Sequence, residues 1–198
     1  MFGPNNKRTV LLRLMILAGF VAAIWVIQVI NSALGYGLNP DFGLIPRRIV
    51  GLDGILAMPL LHVSYPHLIA NTLPLLLMGA LIALTATRAL WWVNGIIICL
   101  GGALVWALGS HAIHVGASGL VFGWFGFLVV RGLVDRSFIT LATSLLIAVA
   151  YGSILWGVLP GQDGISWEAH LFGALAGGVA AYAVRTPAHS ASKRGTLR

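Results

Sequence analysis

The chain has 198 residues, of which 9% are charged, whereas Ala, Val, Ile, Leu, Met, Phe, Trp, Tyr and Cys together make up 59%. A soluble protein carries about a quarter charged residues, so this composition excludes an ordinary soluble enzyme and a disordered chain. The net charge of +7 is spread around apolar blocks, which excludes a nucleic-acid-binding protein. The sequence therefore predicts an all-α integral membrane protein.

Apolar stretches without charges follow one another along the chain, and a helix needs about 20 such residues to cross a bilayer. The first, 14–34, is longer than the apolar region of a signal peptide and is interpreted as a retained span. The second begins near His67. The stretch between Arg88 and Arg131 is twice one helix and is interrupted at 109–116, which predicts a helical hairpin of spans three and four. Spans five and six are 137–162 and 166–184.

The distribution of positive charge predicts the orientation of this six-span bundle. Ten of the twelve Lys and Arg residues lie in the two termini and in the loops on the same side as the termini. Cytoplasmic loops carry an excess of Lys and Arg, so both termini are predicted to be cytoplasmic. The chain then divides into a short basic N-terminus (1–10), the six-helix core (11–185) and a basic tail (186–198).

Four polar side chains stand out within or beside the spans, because an unpartnered polar group in a bilayer costs several kcal/mol. They are His67, Asn71, Ser118 and His170. His67 and Asn71 are four residues apart and share one helical face. Spans two, four and six all enter from the non-cytoplasmic side, so the four residues are predicted to lie at a common depth below that surface.

Glycines spaced by three or four residues predict that spans four and six pack with their backbones close. They are Gly116, Gly119, Gly123 and Gly126 on span four, and Gly173 and Gly177 with Ala169 on span six. Close packing would bring His170 to Ser118 as a general base, with His67 and Asn71 as donors to an oxyanion. The alternatives are a serine bonded to its own backbone and glycines that serve packing alone.

Three segments resemble motifs of the rhomboid intramembrane serine proteases. Gly116-Ala-Ser-Gly119 is similar to GxSG, and Ala169-His-Leu-Phe-Gly-Ala-Leu-Ala-Gly177 is similar to AHxxGxxxG. His62-Val-Ser-Tyr-Pro-His67-Leu-Ile-Ala-Asn71 is similar to HxxxxHxxxN of the second span. The motifs stand in the family's order on the expected helices, and the resemblance covers the core from about Leu11 to Val184.

This resemblance implies a Ser118 nucleophile with His170 as its base, in a dyad that lacks an aspartate. It implies an oxyanion hole formed by the Ser118 backbone with His67 and Asn71. Phe122 matches the aromatic residue that packs on the histidine, where tyrosine is common in the family. The same resemblance implies supporting roles for Gly116, Gly119, Gly173 and Gly177, with Gly116 keeping the approach to the nucleophile open.

The sequence departs from the family pattern in the first outer loop and in span two. The loop lacks the Trp-Arg pair often found in the family, which leaves its docking unpredicted. Met58 stands where bacterial relatives carry a third histidine, so a water-retaining role is not carried over. Pro74 removes one backbone hydrogen bond inside span two and predicts a kink near Asn71.

Other polar residues have less specific interpretations. His111 and His114 together with His62 suggest a metal site, but a polar lining of a water-accessible cavity is favoured because no carboxylate or cysteine completes the ligand set. Asp163 and Glu168 are interpreted as loop charges. Glu168 is two residues from His170 and faces away from it on a helix, so no triad is predicted.

The sequence thus predicts a serine endopeptidase of the plasma membrane that cleaves transmembrane segments of other proteins, without cofactor or metal. Its site would open to the non-cytoplasmic side, and its partners would be transmembrane substrates and the lipid bilayer. One alternative is a catalytically silent relative that binds or escorts membrane proteins. The other, a small transporter, would carry charges near the midplane or an inverted repeat. The natural substrate and the oligomeric state stay open.

Overall fold

The computed structural model describes residues 4–86, 90–135, 137–162 and 164–185. The predicted tail at 186–198, together with Arg88, Arg136 and Asp163, lies outside these ranges. Within them the chain is helical, and the one extended pairing is an isolated antiparallel bridge between Leu44 and His114. The predicted all-α class is confirmed for the described residues.

The helices follow the predicted order. They are α1 (Pro4–Ala33), α2 (Leu38–Phe42), α3 (Gly54–Ala57), α4 (Tyr65–Thr85), α5 (Leu90–Ile96), α6 (Gly102–Leu108), α7 (Ser118–Asp135), α8 (Phe138–Tyr151) and α9 (Trp167–Ala183). A π-helical turn at Ile97–Gly101 joins α5 to α6, so that the two form one span. Short 3₁₀ turns occur at Ile49–Gly51, Met58–Leu60 and Gly152–Val158, and the last of these extends α8.

Five of the six predicted spans are long and apolar enough to cross a membrane. They are Lys7–Ala33, Tyr65–Thr85, Leu90–Leu108, Ser118–Asp135 and Phe138–Val158. The sixth predicted span corresponds to α9, which has 17 residues. The count of six and the cytoplasmic location of the termini stay predictions.

Two helix ends differ from the predicted bounds for a local reason. Proline suits the first turn of a helix because its missing N–H has no partner there, and α1 begins at Pro4, inside the segment predicted as a separate N-terminus. Span two begins at Tyr65, where the Ser64 hydroxyl caps the helix by accepting from the His67 amide at 3.3 Å. The helix continues through Pro74 to Thr85, and the kink at Pro74 stays a prediction.

Helix α7 is the centre of the bundle and makes its most extensive contact with α9. The two backbones touch at glycines: a β-carbon at Gly173 would overlap the carbonyl of Gly119, and one at Gly177 would overlap the carbonyl of Gly123. The predicted close packing of spans four and six is therefore confirmed. It fixes the N-terminal turns of both helices side by side.

The first outer loop docks on the end of α6 through Arg47, which has a positive φ of 58°. Its Nη1 donates to the carbonyls of Ala107 and Gly109 at 3.3 and 2.8 Å. The Trp106 indole donates to the carbonyl of Arg48 at 2.9 Å. An arginine and a tryptophan thus anchor the loop here, with the tryptophan contributed by α6 and not by the loop.

Candidate active site

Ser118 is the first residue of α7 and directly follows a backbone turn that only glycine suits. Gly116 has a φ of +127°, a region that side chains disfavour. A β-carbon there would lie 2.6 and 2.9 Å from Cε1 and Nε2 of His67, and 3.6 Å from Oγ of Ser118. A side chain at position 116 would therefore overlap the His67 ring, and the glycine lets this ring lie close to the backbone just before Ser118.

The His170 side chain, in the first turn of α9, is held on two sides. Its ring stacks on Phe122 with centroids 4.0 Å apart and planes 6° from parallel, so the stacking contact expected of Phe122 is present. The Nδ1–H donates to the carbonyl of Gly157 at 2.8 Å. A neutral imidazole that donates from Nδ1 keeps its Nε2 as an acceptor, and this is the protonation state a general base requires.

A cavity of about 600 Å³ brings the four predicted polar residues together. Ser118, His170, His67 and Asn71 all line it. Within the described ranges no hydrogen bond joins the Ser118 hydroxyl to the His170 ring, a common state of catalytic pairs without substrate. The Asn71 Nδ2 and the His67 Nδ1 are buried without a hydrogen-bond partner in the described part of the chain. A buried donor without a partner is costly, so the cavity has a donor available for a ligand's oxygen.

His62 is fully buried and contacts two parts of the site. Its Nε2 accepts from the Ala117 amide at 3.4 Å, and its ring lies edge-on to that of His67 at 5.0 Å. Burial, helped by the nearby His67, lowers the pKa of His62 to about 3, so the ring is neutral at ordinary pH. The loop around His62 is itself fixed, because its carbonyl accepts from the side chains of Asn31 and Asn39.

Glu168 is not a loop charge, and that prediction is wrong. It lies in the first turn of α9 with 4% of its surface exposed, where a helix N-terminus favours a carboxylate. Its Oε1 accepts from the Ser110 amide at 3.0 Å. The acid therefore ties the loop before α7 to the start of α9, and within the described ranges it makes no hydrogen bond with His170.

His111 and His114, in the loop before α7, make different contacts. His114 donates from Nε2 to the carbonyl of Ser110 at 3.2 Å and accepts at Nδ1 from the Ser166 hydroxyl. It lines the cavity, as predicted, and burial lowers its pKa. His111 is exposed and contacts Arg47. In the part of the chain that the structure describes, no three His, Cys, Asp or Glu side chains are grouped to hold a metal ion.

Comparison with known proteins gives one family. The family model of the Rhomboid domain matches residues 52–187, more than half of the chain. Proteins of Mycobacterium tuberculosis and Mycobacterium bovis are each 40% identical over 181 residues, which cover 87% of this chain and 75% of the relative. A protein of Mycobacterium leprae is 38% identical over 178 residues, 85% of this chain and 70% of its own length. All three are described as uncharacterized, so their similarity gives no information about activity.

Proposed function

The chain belongs to the rhomboid family, and from that membership we propose that it is an intramembrane serine endopeptidase acting through an acyl-enzyme on Ser118. One observation carries the proposal. In a cavity shared with Ser118, the His170 ring is held by the Gly157 carbonyl and by Phe122 so that its Nε2 is an acceptor. Such an acceptor is what a weak serine nucleophile needs.

The chemistry requires His170 to take up a proton and give it back in each of two half-reactions. The Nε2 takes the proton of the Ser118 hydroxyl as Oγ bonds to the substrate carbonyl carbon, and it then gives that proton to the amide nitrogen as the C–N bond breaks. Water then enters the same cavity and loses a proton to Nε2 as its oxygen bonds to the acyl carbon. The Nε2 returns this proton to Oγ as the acyl–Oγ bond breaks, which releases the carboxylic acid and restores the Ser118 hydroxyl. The Gly157 carbonyl, 2.8 Å from Nδ1, stabilises the imidazolium formed in each half and takes the place of an aspartate.

The developing oxyanion would be held by three donors around Ser118. Its backbone amide at the N-terminus of α7 is one, since the first amides of a helix have no partner within the helix. The Asn71 amide, buried in the cavity with no partner on Nδ2, is the second, and the His67 ring beside Gly116 is the third. Donors that are fixed before the reaction give the largest electrostatic benefit.

The residues that line the cavity support a class of substrate. Its walls include Val63 and Ala70, just before and within α4, and Gln162 and Ile165, in the segment between α8 and α9. An opening between these elements would admit an extended stretch of a neighbouring transmembrane segment. We propose a location in the plasma membrane with the opening on the non-cytoplasmic side, supported by the charge bias of the sequence.

Cleavage of a model transmembrane substrate in liposomes tests this function. We expect the wild type to cut, and Ser118→Ala and His170→Ala each to lower the rate by about 10³-fold or more. Ser153→Ala is the matched control, because Ser153 is exposed in the Gly152–Val158 turn. Cleavage by Ser118→Ala at the wild-type rate would refute the proposal. Failure of folded wild type to cut any of several substrates would favour a catalytically silent binding protein.

A further inference from the structure

A second cavity, separate from that of Ser118, lies between the first half of α1, the last half of α4, α5 and α7. It measures about 190 Å³ and shares no lining residue with the active-site cavity. Its walls are hydrocarbon and aromatic, with Leu17 and Phe20 on one side and Trp91 and Trp124 on the other. Apolar cavities of about 150 Å³ hold hydrocarbon ligands and stay free of water, so this space suits an apolar chain.

One charged side chain reaches into this apolar space. Arg13 lines the cavity, and its Nη1 is buried without a hydrogen-bond partner among the residues that the structure describes. The other polar side chain of the wall, Asn94, already has hydrogen-bond partners. It donates to the Leu90 carbonyl and accepts from the Trp124 indole at 2.8 Å. A guanidinium that is partly removed from water and lacks a partner is costly, and an anion placed there would relieve this cost.

Exposed tryptophans indicate which end of the cavity lies near a lipid headgroup. Trp91, which lines the cavity, and its neighbour Trp92 are 69% and 72% exposed, and tryptophans of this kind mark the membrane interface. From Arg13 to Phe20 the cavity follows α1 inward for about 10 Å.

The charged residues at the N-terminal end of α1 are basic. Exposed Lys7 and Arg8 precede Arg13 on α1, whose first turn has no acidic residue. Within the described ranges the carboxylate of Asp135 is paired with Arg131. The net charge at this end of α1 therefore favours an anionic headgroup, whereas the choline of a zwitterionic headgroup would offset the attraction between its phosphate and Arg13.

We propose that this cavity binds an anionic phospholipid of the leaflet that faces the α1 N-terminus. Its phosphate accepts hydrogen bonds from Arg13, and one acyl chain lies between α1 and α5 against Trp91 and Trp124. A guanidinium and a phosphate form a strong, charge-assisted pair. The inference is independent of the proposed protease activity, because no residue of the two cavities is shared.

Native mass spectrometry of the detergent-solubilised full chain tests the site. We expect the wild type to retain one phosphatidylglycerol and to bind phosphatidylcholine about tenfold more weakly, because the choline offsets the attraction of Arg13 for the phosphate that both lipids carry. Arg13→Gln should lose this preference, and Arg8→Gln, which changes an exposed charge of the same helix, should keep most of it. Equal affinity for the two lipids, or an unchanged preference in Arg13→Gln, would overturn the proposal. So would inorganic phosphate that competes as well as the lipid, because the acyl chain would then contribute nothing.

A second measurement needs no variant and so does not depend on the folding of Arg13→Gln. Wild type is placed in phosphatidylcholine vesicles that contain a small fraction of phosphatidylglycerol brominated on its acyl chains, and tryptophan fluorescence is recorded. Quenching should exceed that caused by the same fraction of brominated phosphatidylcholine, because bromine would be enriched beside Trp91 and Trp124. Equal quenching by the two brominated lipids would overturn the proposal.

Discussion

Two parts of the bundle contact His170, and they differ in how much of their surface is buried. One is the α7–α9 pair, and the other is α8 with its Gly152–Val158 turn. In the most apolar stretch of α7, 56% of the residues are buried, against 17% in that of α8 and its 3₁₀ turn. The α7–α9 pair touches backbone to backbone at glycines, whereas the Gly152–Val158 turn buries no residue. Ser118 and His170 lie on the tightly packed α7–α9 pair, and Gly157 lies on the exposed turn.

A hydrogen bond crosses between the two parts. The Nδ1–H of His170, on the α7–α9 pair, donates to the carbonyl of Gly157, on the exposed turn. Displacement of the turn would remove this bond, which keeps the proton on Nδ1 and leaves Nε2 as an acceptor. In the proposed mechanism the turn therefore acts on His170 through a single carbonyl, and the α7–α9 pair is expected to contribute more to stability.

The largest effect is expected from a methyl group added between α7 and α9. A β-carbon in Gly177→Ala would overlap the Gly123 carbonyl, which cannot move without shifting α7, and overpacking of this kind costs about 3 kcal/mol. The free energy of unfolding in mixed micelles measures it. Gly178→Ala is the control, since its β-carbon would meet Val130 at an ordinary 3.7 Å. Equal stability of the two variants would show that the close contact of α7 and α9 at Gly177 does not contribute to stability.

A smaller effect, on the cleavage rate and not on stability, is expected from a substitution in the Gly152–Val158 turn. In Gly157→Ala the new β-carbon would lie 3.0 Å from both Nδ1 of His170 and Cζ of Phe122, so the base must shift. Misplacement of a catalytic group by about 1 Å costs up to about 100-fold in rate. We expect a 10- to 100-fold slower cleavage, about the range that such misplacement allows, with unfolding unchanged.

Gly152→Ala provides the matched control for that experiment. It lies in the same turn, and a β-carbon there meets no atom within 4 Å. Its cleavage rate should equal that of the wild type. If both variants were equally slow, the turn would act through its general flexibility and not through the contact with His170.

Acid should destabilise the fold through His62, in the loop before α4. Its pKa falls from 6.5 to about 3 on folding, so the unfolded chain binds the proton more readily. The contribution of His62 is complete above pH 6.5 and is lost as the pH falls toward 3, with about 2 kcal/mol lost at pH 5. The free energy of unfolding at pH 8 and pH 5 measures this loss.

His62→Gln isolates that effect, because glutamine keeps an acceptor for the Ala117 amide and does not titrate. Its free energy of unfolding should change less between the two pH values than that of the wild type. An identical change in both proteins would show that other groups cause the acid sensitivity.

The spans and the four polar side chains could be predicted because each leaves a local signal. A histidine, an asparagine or a serine in an apolar span is visible in the sequence, and glycines at helical spacing indicate which helices touch. Membrane burial also limits helix lengths, which is why the predicted spans agree with the helices to within a few residues at most ends. The start of α1 is an exception, because the helix begins at Pro4, outside the apolar stretch that predicts the span.

Contacts made by backbone atoms or across long sequence separations left no such signal. The partner of the His170 Nδ1 is the carbonyl of Gly157, and every residue has a carbonyl. Glu168 meets the Ser110 amide 58 residues away, and Arg47 meets the Gly109 carbonyl 62 residues away. Tertiary packing determines these pairs, so the sequence alone indicated neither that Glu168 is buried nor how the first outer loop docks.

The most direct test of the proposed chemistry is labelling by a fluorophosphonate, read by intact mass, because it needs no substrate. The phosphorus should bond to the Ser118 oxygen with loss of fluoride, which gives one adduct on the wild type and none on Ser118→Ala. His170→Ala should react at least about 100-fold more slowly, since the hydroxyl loses its base. Folded wild type that stays unlabelled, or an adduct that persists in Ser118→Ala, would contradict the assignment of Ser118 as an activated nucleophile.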